Sequence, residues 1–174
     1  GTTTLSNAAN RFVTIASDNL DDTVYRDADD LNVGTVLVAG MNVQGVSVDG
    51  DLSVTVGGDL EQNSDAPVNV SETTRLMSVG HVCWNFGDFS GGDSDGQNDN
   101  DLSVLEIVSA ADADIVDRNG LTASGATITG ALRLAAGDAV DGKLTLNGDL
   151  LVGDQVLLQA SDGVAQSGGV IRTD

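Results

Sequence analysis

The chain has 174 residues and carries 27 acidic against 7 basic side chains, a formal net charge of −20. Nucleic-acid binding needs a basic footprint and usually aromatic platforms, and one Lys, six Arg and 3% aromatic residues provide neither. No run of about 18 apolar residues offers a membrane span, the lone Cys83 excludes a disulfide framework, and 40% hydrophobic residues supply a core that a disordered acidic chain lacks.

Glu and Lys are nearly absent, with 24 of the 27 acids being Asp, so the vocabulary of helices is missing. Val, Thr, Gly, Asp, Ser and Asn dominate, which suits short strands and tight turns. In chain order, alternation of period two predicts strands at Leu52–Val56, within 126–134, within 143–147 and at Leu150–Val152. Turns are expected at Asp49-Gly50, Gly58-Asp59, Asn119-Gly120, Asp141-Gly142 and Gly148-Asp149, where positive φ is cheap for Gly. One Trp, one Tyr and three Phe are few for a sandwich core. Stacked Val, Ile, Leu and Ala ladders need no such bulk, so an all-β solenoid is the expected architecture.

A solenoid repeats, and this sequence does so weakly. Residues 10–18 (Asn-Arg-Phe-Val-Thr-Ile-Ala-Ser-Asp) match residues 100–108, Val24-Tyr25 matches Ile115-Val116, and Leu31-Asn32-Val33-Gly34 matches Leu121-Thr122-Ala123-Ser124. Residues 48–54 pair with 139–146, and both copies close on a turn holding Gln, Gln62 or Gln166. Two copies follow, 1–71 and 72–174, the second carrying an insertion at about 79–99. That insertion holds His81, Cys83, Trp84, Phe86, Phe89 and an acidic run.

The order Gly1-Thr-Thr-Thr-Leu5, Asn10-Arg11-Phe12, Val13-Thr14-Ile15, Asp27-Ala28-Asp29-Asp30-Leu31-Asn32-Val33-Gly34, Asp51-Leu52-Ser53-Val54 and Gly58-Asp59-Leu60-Glu61-Gln62 resembles the repeats of giant bacterial surface exoproteins. These are filamentous-haemagglutinin-like and autotransporter-like adhesins. The resemblance spans nearly the whole chain outside the insertion. It implies a right-handed parallel β-helix, exported and placed extracellularly or on the bacterial cell surface, acting as a stalk or adhesive segment. It supplies no catalytic residues. Its implied partners are neighbouring repeats of one parent chain, and surface glycans or other cells. Matching repeat phases at the two ends, with no signal peptide at Gly1, lead to the expectation that the chain is part of a longer protein. The strong acidity and the aromatic insertion depart from the family pattern.

Three features carry candidate chemistry. Asp93, Asp95, Asp99 and Asp101, with Gly96 at the turn, have the close oxygen spacing that calcium takes, although no Glu closes a standard twelve-residue loop; a solvated acidic loop is the competing reading. His81 and Cys83 share one face of a strand, with Val82, Trp84 and Phe86 on the other. Two soft ligands do not make a structural zinc site, and the plainer reading packs the aromatic face against the flank of the solenoid. Trp84, Phe86 and Phe89 would alternatively form a sugar-stacking platform beside a calcium loop. The acidity itself reads as cation capture or as solubility in salt.

The function expected is thus a non-catalytic stalk or adhesive segment, calcium being the one cofactor considered. A phage or viral fibre β-helix and a carbohydrate-binding or carbohydrate-active β-helix are the alternatives. One Lys and dispersed Arg residues supply lyase chemistry poorly.

Overall fold

The computed structural model describes residues 1–84, 100–137 and 142–174. Every regular element among them is a β-strand. The strands form a parallel sheet of 12 strands and another of 7; the exception is an antiparallel hairpin of Thr35–Val38 and Met41–Gln44. The chain passes back and forth between the two sheets. Thr23–Arg26 lies in the larger, Leu31–Val33 in the smaller, Leu52–Val56 in the larger and Leu60–Gln62 in the smaller. The same exchange continues through Val68–Ser78, Val82–Trp84, Asp101–Ala110 and Ala113–Asp117, then through Leu121–Ile128 and Leu132–Ala136. Each strand therefore pairs with the strand one passage earlier and one passage later.

Register turns alternation into ladders. Tyr25, Val54, Leu76, Ile107, Ala126 and Leu150 stand in line across the larger sheet. Leu31, Leu60, Val82, Ala113, Leu132 and Val156 do so across the smaller. Both sets point inward and belong to one continuous core. Fully burying each of the Val, Leu and Ile side chains among them stabilises the fold by about 1.5–3 kcal/mol. Because most residues above and below are also aliphatic, the stack fills with few aromatic side chains, Tyr25 and Trp84 being the buried ones among the described residues.

The expected strands at Leu52–Val56 and Leu150–Val152 have those bounds, and Leu144–Leu146 lies inside 143–147. The window 126–134 is broken in two: Leu121–Ile128 ends in the larger sheet and Leu132–Ala136 begins in the smaller. Gly130 makes the corner between them. Within the span 79–99 expected to be an insertion, Val82–Trp84 is a paired strand of the smaller sheet. Residues 85–99 lie outside the described residues.

The corners also explain the Asp-rich composition. Asp30 Oδ1 accepts the backbone N–H of Asp59 (2.9 Å), and Asp59 Oδ1 accepts that of His81 (2.8 Å). Asp22 accepts from Asp51, which accepts from Thr73 (3.1 and 2.9 Å). Asp112 accepts from Ala131 (2.6 Å), and Asp149 from Val170 (2.9 Å). A carboxylate on one passage thus satisfies a corner N–H on the next. The residue before the capped N–H is glycine at Gly58 and Gly130, because a Cβ there would collide with the carboxylates of Asp30 and Asp112. Neither has positive φ. Gly-Asp turns were expected to use glycine for its backbone freedom; here they use it for lack of a side chain.

Spacing between register partners ranges from 18 residues, Leu105 to Ala123, to 32, Val70 to Leu102. Most of the surplus falls at one corner, where the chain leaves the smaller sheet for the larger. The hairpin between Val33 and Val46 stands there, residues 85–99 are bounded there by Trp84 and Asn100, and 138–141 by Ala136 and Leu144. Residues 6–13, between Thr3–Leu5 and Thr14–Ile15, lie at the opposite corner.

Candidate functional site

Strand Val82–Trp84 sits in the middle of the smaller sheet, between Leu60–Gln62 and Ala113–Asp117. Its alternation sends Val82 and Trp84 inward, both essentially fully buried, and leaves Cys83 half-exposed on the outer face. Cys83 lies between Glu61 and Asp114 in register, and Arg133 and Leu157 continue the row. His81, next along the same face, is held by Asp112, with Nδ1 to Oδ2 at 2.9 Å. Arg133 pairs with Asp114 at 2.8 Å and donates from Nε to Gln159 at 3.2 Å. Together these side chains border an open trough of about 540 Å³ on the outer face.

The electrostatics of this trough oppose thiolate chemistry. Burial, then the charges of Asp114 and Glu61, push the Cys83 thiol up from its ordinary value. Among the described residues no group of three or more His, Cys, Asp or Glu side chains is placed to hold a metal ion.

The other sequence-predicted residues are placed as follows. Trp84 is 0% exposed, packed in line with Ile115 and away from solvent. This corrects its assignment to a sugar-stacking platform and to a flank: the strand's alternation drives the indole into the core. Phe86, Phe89, Asp93, Asp95 and Asp99 lie outside the described residues. Asp101 is half-buried; Arg118 donates to one of its carboxylate oxygens and Asn119 Nδ2 to the other (3.1 Å).

What sequence reasoning missed lies just beside that loop. Asn100 is 0% exposed and fully engaged. Its Oδ1 accepts from Gln62 Nε2 (2.6 Å) and Val68 N (2.9 Å). Its Nδ2 contacts Gln62 Oε1 (3.2 Å), Trp84 O (3.1 Å) and Val116 O (3.1 Å) as donor. Gln62 also donates to Ala66 O (2.9 Å), tying three successive passages together. Asp117, 0% exposed, accepts from Leu102 N (2.6 Å) and Asn119 N (3.0 Å). Burial pushes its carboxyl up to about 7, with nearby Asp101 adding to the rise, while the two N–H bonds and Arg118 pull it back down. The signal for this cluster was present in the Asn10 and Asn100 match, but it was read as repetition, not as hydrogen bonding. No protein-family model matches the chain, and no curated protein or solved structure matches it either.

Proposed function

We propose that this chain is a non-catalytic stalk or adhesive segment of a large exported bacterial surface protein, wound as a right-handed parallel β-helix. The observation that carries this reading is the corner carboxylate system, in which Asp22, Asp30, Asp51, Asp59, Asp112 and Asp149 each cap the next passage. Much of the polar chemistry that a binding or catalytic protein would aim at a ligand is here turned along the stack. The outer trough follows the same rule, with His81 and Arg133 each tied to an Asp. The resemblance to adhesin repeats supports the cellular setting.

The partners in this reading are neighbouring repeats of the parent chain, with surface glycans or other cells as what the finished fibre meets. Among the described residues Val164–Gln166 and Ile171–Thr173 each pair on one side, with Val164 and Ile171 exposed, and a parallel edge of this kind accepts a further strand. Calcium held by Asp93, Asp95, Asp99 and Asp101 belongs to the proposal as a stabiliser. Labelling of intact, unpermeabilised producing cells with an antibody against the chain tests the reading. Surface labelling removed by external protease is the expected result, and signal that needs permeabilised cells overturns it.

A further inference from the structure

Among the described residues one antiparallel element breaks the pattern. The hairpin Thr35–Val38 and Met41–Gln44 projects from the corner after Leu31–Val33. Its root is fixed. Gly34 donates its N–H to Ile15 O (3.0 Å), Gly45 N–H reaches Gly34 O (2.9 Å), and Gln44 donates to Asp65 O. Gly45 has φ 68°, and a Cβ there would strike the Pro67 carbonyl, so the root admits glycine alone. The turn is Ala39-Gly40, both at positive φ (49° and 84°), the geometry of a two-residue hairpin that matches strand twist.

Register defines the faces. Val36 lies opposite Val43, and Val38 opposite Met41, so these four share one face; Thr35, Leu37, Asn42 and Gln44 share the other. The inner pair Val36 and Val43 is half-buried where the hairpin root meets strands Thr14–Ile15 and Ser17–Asn19. The outer pair is not covered: Val38 is 52% exposed and Met41 69%, and Leu37 at the tip is 68% exposed. Both strands have an open edge, because among the described residues each pairs only with the other.

Charge selects the occupant. Residues 31–48 contain no charged side chain, the longest such run in a chain of net charge −20. Two copies brought together elsewhere set carboxylates against carboxylates; brought together here they do not. An antiparallel strand pairing with its own copy is two-fold by construction, so the same patch of both copies meets in the contact. With no basic side chain in the hairpin, an anionic lipid surface finds nothing to attract it. We infer that the hairpin 35–44 is a self-association element, pairing edge to edge with the hairpin of a second copy and joining their Val36–Val38–Met41–Val43 faces into one apolar surface. So small a contact gives a weak dimer, with Kd on the order of 10–100 µM.

Sedimentation equilibrium of the full chain from micromolar to several hundred micromolar tests this. A monomer–dimer equilibrium is expected, tighter at 500 mM than at 50 mM NaCl because salt screens the mutual repulsion. Met41→Asp and Val38→Asp weaken it at least tenfold while the circular dichroism spectrum and melt stay as in the parent. Val79→Asp, on a distant exposed corner residue, leaves it within twofold. A chain that stays monomeric throughout overturns the inference. So does a dimer weakened equally by Val79→Asp, or a monomer that instead co-floats with phosphatidylcholine vesicles.

Discussion

The Asn10–Asp27 and Asn100–Asp117 sites are assembled from the same parts, 90 residues apart, in opposite surroundings. Asn10 Nδ2 donates to Leu5 O and Arg26 O, as Asn100 Nδ2 does to Trp84 O and Val116 O. Asp27 accepts from Phe12 N and Asp29 N, as Asp117 does from Leu102 N and Asn119 N. Each has a flanking ion pair, but with the signs exchanged: Arg11 with Asp29 in the first, Asp101 with Arg118 in the second. The first sits at the edge of the larger sheet and leaves Asn10 partly exposed; the second sits mid-stack with Asn100 buried and joined to Gln62. One hydrogen-bonding motif thus serves two corners, and its energetic weight is set by burial and not by the motif.

The largest test of that difference is Asn100→Ala against Asn10→Ala. The first strands the buried groups of Gln62 and Val68 and should cost about 3 kcal/mol or more; the second, near solvent, about 1 kcal/mol. Urea unfolding of both variants measures it, and equal losses would break the comparison. Next comes pH. The folded-state carboxyl of Asp117 stands near 7, above the ordinary Asp value of about 3.9. The native state keeps that proton where the unfolded chain has lost it, so its contribution is fully present below pH 4. It is lost as pH rises toward 7, at up to about 1.4 kcal/mol per pH unit. Asp117→Asn should flatten this part of the stability-against-pH curve relative to the parent chain; an unchanged slope would show that the carboxyl ionises normally.

Calcium sharpens the comparison because only the second site adjoins the acidic run 93–101. With a dissociation constant on the order of 0.1 mM, 1 mM calcium adds about 1.4 kcal/mol, or roughly 3–6 °C in the circular dichroism melt over EDTA. Paired Asp95→Ala and Asp99→Ala substitutions should abolish that rise, and identical midpoints in the two buffers would remove calcium from the picture. The smallest effect is expected from Arg118→Ala, about 0.5 kcal/mol, since its pairing with Asp101 is partly solvated.

Strand character was legible because period-two alternation is a local property, and Leu52–Val56 carries it without interruption. The inward turn of Trp84 was not, although Val82 and Trp84 alternate with Cys83, because alternation separates two faces without saying which is the core. The match of residues 10–18 with 100–108 was visible. Its meaning was not: Thr23–Arg26 and its counterpart Ala113–Asp117 lie in different sheets. Likeness along the chain reported a shared way of turning a corner, where a single structural period had been expected. The Asp corner caps were hidden for a related reason. Asp30 to Asp59 is 29 residues and Asp59 to His81 is 22, so no fixed spacing announces them.

Most of the surplus length between passages falls at one corner, the one occupied by the hairpin and flanked by Trp84 and Asn100 and by Gly137 and Gly142. Passages that meet there are joined by register on either side, so chain can be added or removed at that point without shifting a neighbouring strand. The corner is therefore where sequence drift is cheapest and where a foreign peptide grafted into this scaffold is most readily accommodated. Several such grafts, one per passage, would stand in a row along one edge of the molecule.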